Sequence, residues 1–350
     1  MHQPMTAKDR AQSILDRHRA LVDAEINHLL RGRADLPLYH MLRYHLGWSD
    51  GEAEDKFPAA GKRVRSTLCL LSCQASGGDP EAAAPAGAAL ELLHSFTLLH
   101  DDIVDEDEVR RGRPTVWRLW GIGQAITVGD AMYALANLAL GRLSHSNLPP
   151  ATIAAAAREL NEAAITVCEG QHLDLAFEGR PDIGATEYLD MISRKTAALI
   201  AAALSLGARL AEAADQTSDA LRQFGHHLGV AYQIRDDILG LWGDPGQLGK
   251  PVGGDLRKNK RSLPVVYALA SAEPEARRKL AAHLAEGVPT DAAIARIIAQ
   301  IEAAGARDYC DRLLRESQEA ALTELNRARL HDQEAQDLRS LAAYLMERSE

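Results

Sequence analysis

Six of the eight residues from 101 to 108 carry carboxylates: Asp101, Asp102, Asp105, Glu106, Asp107 and Glu108. They follow an apolar run in which Leu92, Phe96, Leu99 and Ile103 recur at helical spacing. The cluster therefore falls near the C-terminal end of a helix, where the dipole is already negative. Like charges four apart on a helix also repel, so the arrangement costs stability unless a cation compensates it. Asp101 and Asp105 share one face, about 6 Å apart along the axis. His94, seven residues before Asp101, joins that stripe. Two carboxylates on one face, with oxygen donors only, suit a hard cation such as Mg²⁺. Taken alone, such a charge run is also what a solvated helix end looks like.

A second pair, Asp236-Asp237, closes another apolar helix whose stripe is Phe224, Leu228, Ala231, Ile234, Ile238 and Leu241. Gln233 stands three residues before Asp236. Two such pairs on separate helices could face each other across a bundle core, the usual way helical metal sites are built. Asp102 and Asp237 stand either as further ligands or as structural carboxylates.

Basic residues flank both motifs. Lys62, Arg63 and Arg65 form GKRVR at a predicted helix start, where backbone N–H groups favour an anion. Arg110 and Arg111 follow the first acidic cluster, and Lys250, Arg257, Lys258, Lys260 and Arg261 follow the second. Lys195-Thr196 lies on a helix of its own. A lone Lys or Arg is ordinarily a solvated surface residue. Clusters beside metal-type carboxylates describe a polyphosphate site, in which metals bridge oxygens and cations neutralise the rest.

The elements that must position these residues read as helices almost throughout. Periodicity and capping signals predict helices over 8–30, 36–46, 61–76, 80–106, 122–143, 150–178, 185–212, 215–242, 261–271, 275–285, 290–304, 306–330 and 333–348. Asp79-Pro80 opens one helix with a cap and a first-position proline, Gly77-Gly78 closes the one before, and 243–259 is a Gly-, Pro- and Lys/Arg-rich loop. The 350 residues show no linker and no repeat, so a single all-α domain is expected, with residues 1–8 disordered. The net charge of −10 argues against nucleic acid as a partner. The four cysteines have no zinc-type spacing, which suits a reduced, cytoplasmic setting. The N-terminus lacks a signal-peptide core, and the most apolar stretch, Thr196 to Ala208, is too short to span a bilayer.

Taken in order, GKRVR, DDIVD with its following RRG, GQHLD, KT, QIRDD and GKPVGGDLRKNK resemble the motifs of trans-isoprenyl diphosphate synthases over about residues 35 to 270. The resemblance implies a large helical bundle around a deep central cavity, usually as a homodimer. Asp101 and Asp105 would bind two Mg²⁺ ions and Asp236 a third. Arg110, Lys195, Lys250 and Gln233 would contact the allylic diphosphate, and Lys260 and Arg63 would belong to the substrate-binding set. Lys62, Arg65, His94 and Arg111 would hold the diphosphate of isopentenyl diphosphate. Gln171 and Thr196 would line the reaction zone, and Asp174 would support basic side chains. The implied reaction ionises the allylic C–O bond, adds the isopentenyl double bond to the cation and loses a proton to the departing pyrophosphate.

Three positions depart from the pattern: Ala60 before GKR, Ser66 where proline often stands, and Gly240 in place of the last aspartate of the second motif, giving DDILG. Asp244, four residues on, is a candidate substitute. Phe96 and Thr97 stand five and four residues before Asp101, and this combination resembles enzymes that stop at the C20 product, an aromatic blocking the growing tail. Leu93 and residues on the next helix, such as Ala131 to Leu135, could move the stop to C15 or C25. Three other readings compete, one of them a helical scaffold or interaction protein, for which the acid clusters would go unexplained. A terpene cyclase would not need Lys62, Arg65 and His94, and a non-catalytic partner subunit would tolerate the change at Gly240.

Overall fold

The computed structural model describes residues 7–33, 36–48, 61–243, 253–257, 260–285 and 290–346. Ala60, Asp244, Lys250 and Lys258 lie outside the described residues, as do residues 1–6. Residues 7 and 8, counted with the disordered N-terminus from sequence, instead begin the first helix.

The order is α1 (Ala7–Leu30), α2 (Pro37–Leu46), α3 (Val64–Ala75), α4 (Pro80–Val104), β1 (Val109–Arg110), β2 (Arg113–Pro114), α5 (Val116–Trp120), α6 (Ile122–Gly141) and α7 (Pro150–Phe177). After these come α8 (Ala185–Ile192), a π-helical segment (Ser193–Ala197), α9 (Ala198–Leu210), α10 (Asp215–Trp242) and α11 (Gly254–Arg257). The chain ends with α12 (Leu263–Ser271), α13 (Pro274–Ala285), α14 (Asp291–Ala303), α15 (Ala306–Arg327) and α16 (Asp332–Met346).

Local chemistry sets the boundaries near the motifs. At the start of α4, the Asp79 side chain accepts a 2.9 Å bond from the Glu81 N–H, with Pro80 at the first helical position. At its end Asp107 N–H reaches Asp102 O and Glu106 N–H reaches Ile103 O. That is a Schellman pattern in which Glu106, at φ +53°, takes the left-handed place that glycine usually fills. The predicted helix over 61–76 starts only at Val64, because Arg63 is itself left-handed at φ +52°. A two-residue hairpin between β1 and β2, missed from sequence, turns through Arg111 and Gly112, both with positive φ.

The described residues form two compact units. The first, within 1–162, 202–219 and 329–341, centres on α4, which packs against α1, α3 and α6. Small residues let these helices approach closely. A Cβ on Gly87 would lie 2.5 Å from Leu70 Cδ1, and one on Gly207 would lie 2.1 Å from the Cys69 carbonyl oxygen. Beside that contact, Ser72 Oγ donates to Leu204 O at 2.6 Å. The second unit, within 163–201, 220–328 and 342–350, buries Leu241, Val265, Leu269, Leu280, Ile297 and Ile301 in one apolar cluster drawn from α10, α12, α13 and α14.

Two helical stretches, Pro80–Val104 and Ala185–Leu210, are long and apolar enough to cross a membrane by length and composition. The sequence reading predicted helix over 185–212 but weighed only its most apolar part, Thr196 to Ala208, which is shorter than the whole stretch. Their most apolar windows are 67% and 72% buried inside the protein, so core packing accounts for their composition.

Replacing Gly207 with alanine should force α9 away from the Cys69 backbone. The expected cost is about 1–3 kcal/mol, read as a lower midpoint in thermal or urea unfolding with far-UV circular dichroism unchanged at low temperature.

Candidate active site

The first acidic motif splits its two adjacent aspartates. Asp102 is buried at 1% exposure and takes a 2.5 Å bond from Arg110 Nε, while Asp101 and Asp105 remain partly accessible. Burial raises the Asp102 carboxyl to about 6, against the pull of Arg110. The hairpin is what delivers Arg110 to this point, and Trp117 Nε1 donates to Asp107 O at 2.9 Å to pin its far end. Asp102 thus acts as an anchor for Arg110.

A cationic cluster shares this unit. Arg65 Nη1 lies 3.1 Å from His94 Nε2. A guanidinium only donates, so Nε2 accepts and the proton of neutral His94 sits on Nδ1. Burial first, and then Arg65, Arg111 and Arg110, hold His94 well below its ordinary value. His45 of α2, which the motifs did not signal, is pushed down to about 3 by burial and then by Arg111, Arg110, Arg63 and Arg113. Gly61 lies close to this group: a Cβ there would be 2.5 Å from Arg111 Nη2, so a larger residue would push the guanidinium aside. Lys62 is exposed beside it.

Arg63 is a correction. Its side chain is 1% exposed, with Nε on Asp23 at 3.1 Å, Nη1 on Glu91 at 3.0 Å and Nη2 on Leu46 O at 3.4 Å. A guanidinium so engaged has no edge to offer a diphosphate. Its partners come from α1 and α4, and nothing near it in sequence announces them. Phe96 stands with its ring edge-on to His100 at 4.7 Å and 5.5 Å from Tyr133, whose hydroxyl donates to Asn161 at 2.7 Å. Thr97 Oγ1 donates to His94 O at 2.8 Å, steadying the turn that carries the histidine.

The second unit brings together Gln171, Asp174, Lys195, Thr196, Gln233, Asp236 and Asp237. Here too the aspartates divide: Asp236 is exposed and Asp237 is buried. Asp237 accepts from the Tyr188 hydroxyl at 2.5 Å, the Leu263 N–H at 3.0 Å and Gln233 Nε2 at 3.1 Å. Burial lifts its carboxyl to about 7 despite these donors. Gln233 Oε1 in turn accepts from Thr196 Oγ1 at 2.9 Å, and Lys195 Nζ lies 2.6 Å from Asp174. Lys195 and Thr196 sit on the π segment, which α7 approaches so closely that a Cβ on Gly170 would lie 2.2 Å from the Lys195 amide nitrogen. Both amide atoms of Gln171 are shielded from water without a protein partner. A buried amide left open in this way is a place for a ligand to complete. Lys260 is half-buried beyond α11.

Among the described residues no three metal-binding side chains converge into a closed cage. Mg²⁺ does not need one, since it keeps waters and is usually held by one or two carboxylates together with substrate phosphates. Asp101, Asp105 and Asp236, each accessible and each backed by an internally bonded neighbour or helix turn, fit that use.

The Polyprenyl synthetase family profile matches residues 49–301. The chain belongs to the polyprenyl synthetase family. It is 40% identical over 91% of its length to the geranylgeranyl diphosphate synthase of Mycobacterium tuberculosis, covering 89% of that protein. It is 39% identical over 90% of its length to a (2E,6E)-farnesyl diphosphate synthase of Mycobacterium bovis, covering 88% of it. Its fold matches a polyprenyl synthetase structure from Streptomyces coelicolor with TM-score 0.87 and 37% identity, over 95% of this chain and 98% of that one. A geranylgeranyl pyrophosphate synthase from Corynebacterium glutamicum, complexed with isoprenyl diphosphate and magnesium, matches with TM-score 0.80 and 29% identity over 97% and 98%. The all-α fold is therefore that of the isoprenoid synthases, and the chain is a trans-prenyltransferase of the isoprenyl diphosphate synthase class.

Two outcomes follow from this geometry. Arg63→Met strands Asp23 and Glu91 in the interior and should lose about 3–5 kcal/mol of stability in urea unfolding. A change confined to substrate affinity, with stability intact, would contradict the structural role. His45 binds its proton far more weakly when folded than when unfolded, so the unfolded chain gains the proton first as pH falls. Stability should drop between pH 6.5 and 3, and His45→Gln should show a smaller loss between pH 7 and pH 5 in the same measurement.

Proposed function

We propose that the chain condenses isopentenyl diphosphate head-to-tail with dimethylallyl, geranyl or farnesyl diphosphate and releases mainly the C20 product, geranylgeranyl diphosphate. The observation carrying this is the division of each aspartate pair into a buried and an accessible member, with the first unit also holding a neutral histidine and a cluster of basic side chains. A cyclase would have no use for Lys62, Arg65 and His94, which cluster on the first unit with Arg111.

In this reading Asp101, Asp105 and Asp236 hold about three Mg²⁺ ions, which when bound offset the charge of the leaving pyrophosphate. Arg110, set by Asp102, and Lys195, set by Asp174, bind the allylic diphosphate, with Gln233, Lys250 and Lys260 beside them. Lys62, Arg65 and Arg111 hold the isopentenyl diphosphate, and His94 offers its Nδ1 proton as a further donor. Thr196 and Gln171 line the reaction zone, where exclusion of water protects the allylic cation. The proton lost at the end goes to the pyrophosphate. The whole chain works as one catalytic domain, in the cytoplasm and as a homodimer. The family match spanning 49–301 supports the first point, and the isologous pairing usual among soluble oligomers suits the last.

Product length rests on Phe96. Its ring, with Tyr133 and His100 around it, is the bulk that would stop a growing tail. The farnesyl and geranylgeranyl relatives leave C15 as the alternative product.

The test is a product assay with labelled isopentenyl diphosphate, each allylic starter and Mg²⁺, sized after dephosphorylation. Elongation to C20 that EDTA abolishes is expected. Asp101→Asn should lower kcat on the order of 100-fold. Phe96→Ala should lengthen the product by at least one C5 unit, and an unchanged product would remove Phe96 as the stop.

A further inference from the structure

The second acidic motif reads DDILG, so its helix ends without the carboxylate that the first motif has at the matching place. In the first, Asp101 and Asp105 are four residues apart and share a face; in the second, Asp236 is followed four residues later by Gly240. A side chain at Gly240 would stand on the same face as Asp236, one turn further along α10.

That place is filled from elsewhere in the chain. A Cβ built on Gly240 would lie 2.7 Å from Asp255 Oδ2, so the Asp255 carboxylate already occupies the volume in which a side chain at 240 would begin. The backbone fixes it there. Gly253 N–H donates to Gly240 O at 3.1 Å, tying the approach to α11 onto the last turn of α10. Lys260 N–H donates to Asp255 O at 2.9 Å and closes the segment behind it. Leu256, the next residue, is buried at 3% in the same apolar cluster as Leu241, so the two turns are packed as well as bonded. Gly253 has φ +73° and meets Ile294, so the bend that brings Asp255 in relies on a glycine at that point. The negative charge of Asp255 also reaches inward, acting to raise both Asp237 and Tyr188.

We propose that Asp255 supplies the missing carboxylate of the second acidic motif, so that Asp236 and Asp255 together hold the divalent cation assigned to that motif. The inference rests on the reading of Asp236 as a metal ligand. It replaces the sequence expectation that Asp244 stands in for the lost aspartate. Glycine at 240 leaves the Asp255 carboxylate its place: a side chain there would displace it, and an acidic one would add like charge at contact distance.

The test uses full-length protein and the concentration of Mg²⁺ that gives half-maximal thermal stabilisation at fixed inorganic pyrophosphate. Asp255→Asn should raise that concentration by roughly 10–100-fold, as should Asp236→Asn, while Asp244→Asn should leave it near the wild-type value. The double variant Gly240→Asp/Asp255→Ala, in which alanine clears the volume the Asp255 side chain fills, returns a carboxylate to the same face from the helix itself and should recover most of the lost response. Melting without Mg²⁺ reports on folding, and the double variant separates loss of the charge from loss of the fold. An unchanged Mg²⁺ requirement in Asp255→Asn, with Asp236→Asn weakened, overturns the inference and leaves Asp236 in place. A folded double variant no better than Asp255→Asn also overturns it. No change in either single variant removes the Asp236 assignment and this inference with it.

Discussion

A carboxylate at the C-terminal end of an apolar helix meets the negative pole of the helix, and if buried it also loses its hydration. Two adjacent aspartates at such an end can be accommodated when one is turned inward and given internal donors. Both motifs do this. Asp102 has Arg110, and Asp237 has Tyr188, Gln233 and the Leu263 N–H. Successive residues on a helix point about 100° apart, so fixing the second aspartate inward fixes the first outward. The accessible aspartates, Asp101 and Asp236, are aimed by their buried neighbours. The hairpin over 109–114, the left-handed turn at Glu106 and the placement of Tyr188 all serve that division.

The cationic side is built on the opposite principle. Positive charge is concentrated on a chain whose net charge is −10, and it is kept from repelling itself by two devices. One guanidinium, Arg63, is taken out of play by Asp23 and Glu91. The two histidines nearest the arginines, His45 and His94, are held neutral, so they add donors and acceptors without adding charge. An anion entering such a cluster meets arginines whose mutual repulsion it relieves, so part of its binding free energy is stored in the empty fold.

The helices were legible from sequence because their signals are local. The stretch over 215–242 was bounded correctly at both ends, and 150–178 ended one residue late. Apolar periodicity, Asp79-Pro80 and Pro149-Pro150 carry that information within a few residues. The motif order was legible for the same reason. What was not legible depends on partners far along the chain. Arg63 belongs to a basic triplet by sequence and to Asp23 and Glu91 by contact. For Asp102 and Asp237 the sequence left open a ligand or a structural role, and burial is what separates them from their neighbours. The hairpin was too short for a period-two pattern, although Arg-Gly at its turn was a cue. His45 has no local signature, since only the fold surrounds it with arginines.

The π segment shows how the reactive residues acquire their separate directions. It is wedged between two glycines: Gly170 of α7 lies against Lys195, and Gly229 of α10 would place a Cβ 2.5 Å from Ala197 Cα. With helices pressed this close on two sides, widening the turn by one residue is a way to pass between them without breaking the hydrogen-bonded spiral. Lys195 then reaches Asp174 on α7, while its neighbour Thr196 reaches Gln233 on α10. Gln233 continues to Asp237, so the π segment is connected by side-chain bonds to the buried half of the second aspartate pair. In the proposed function, a cation at Asp236 and a diphosphate at Lys195 would act on two ends of one braced assembly. The order of that assembly is set by the glycines before any ligand arrives, which keeps the entropic cost of organising the site out of the binding step.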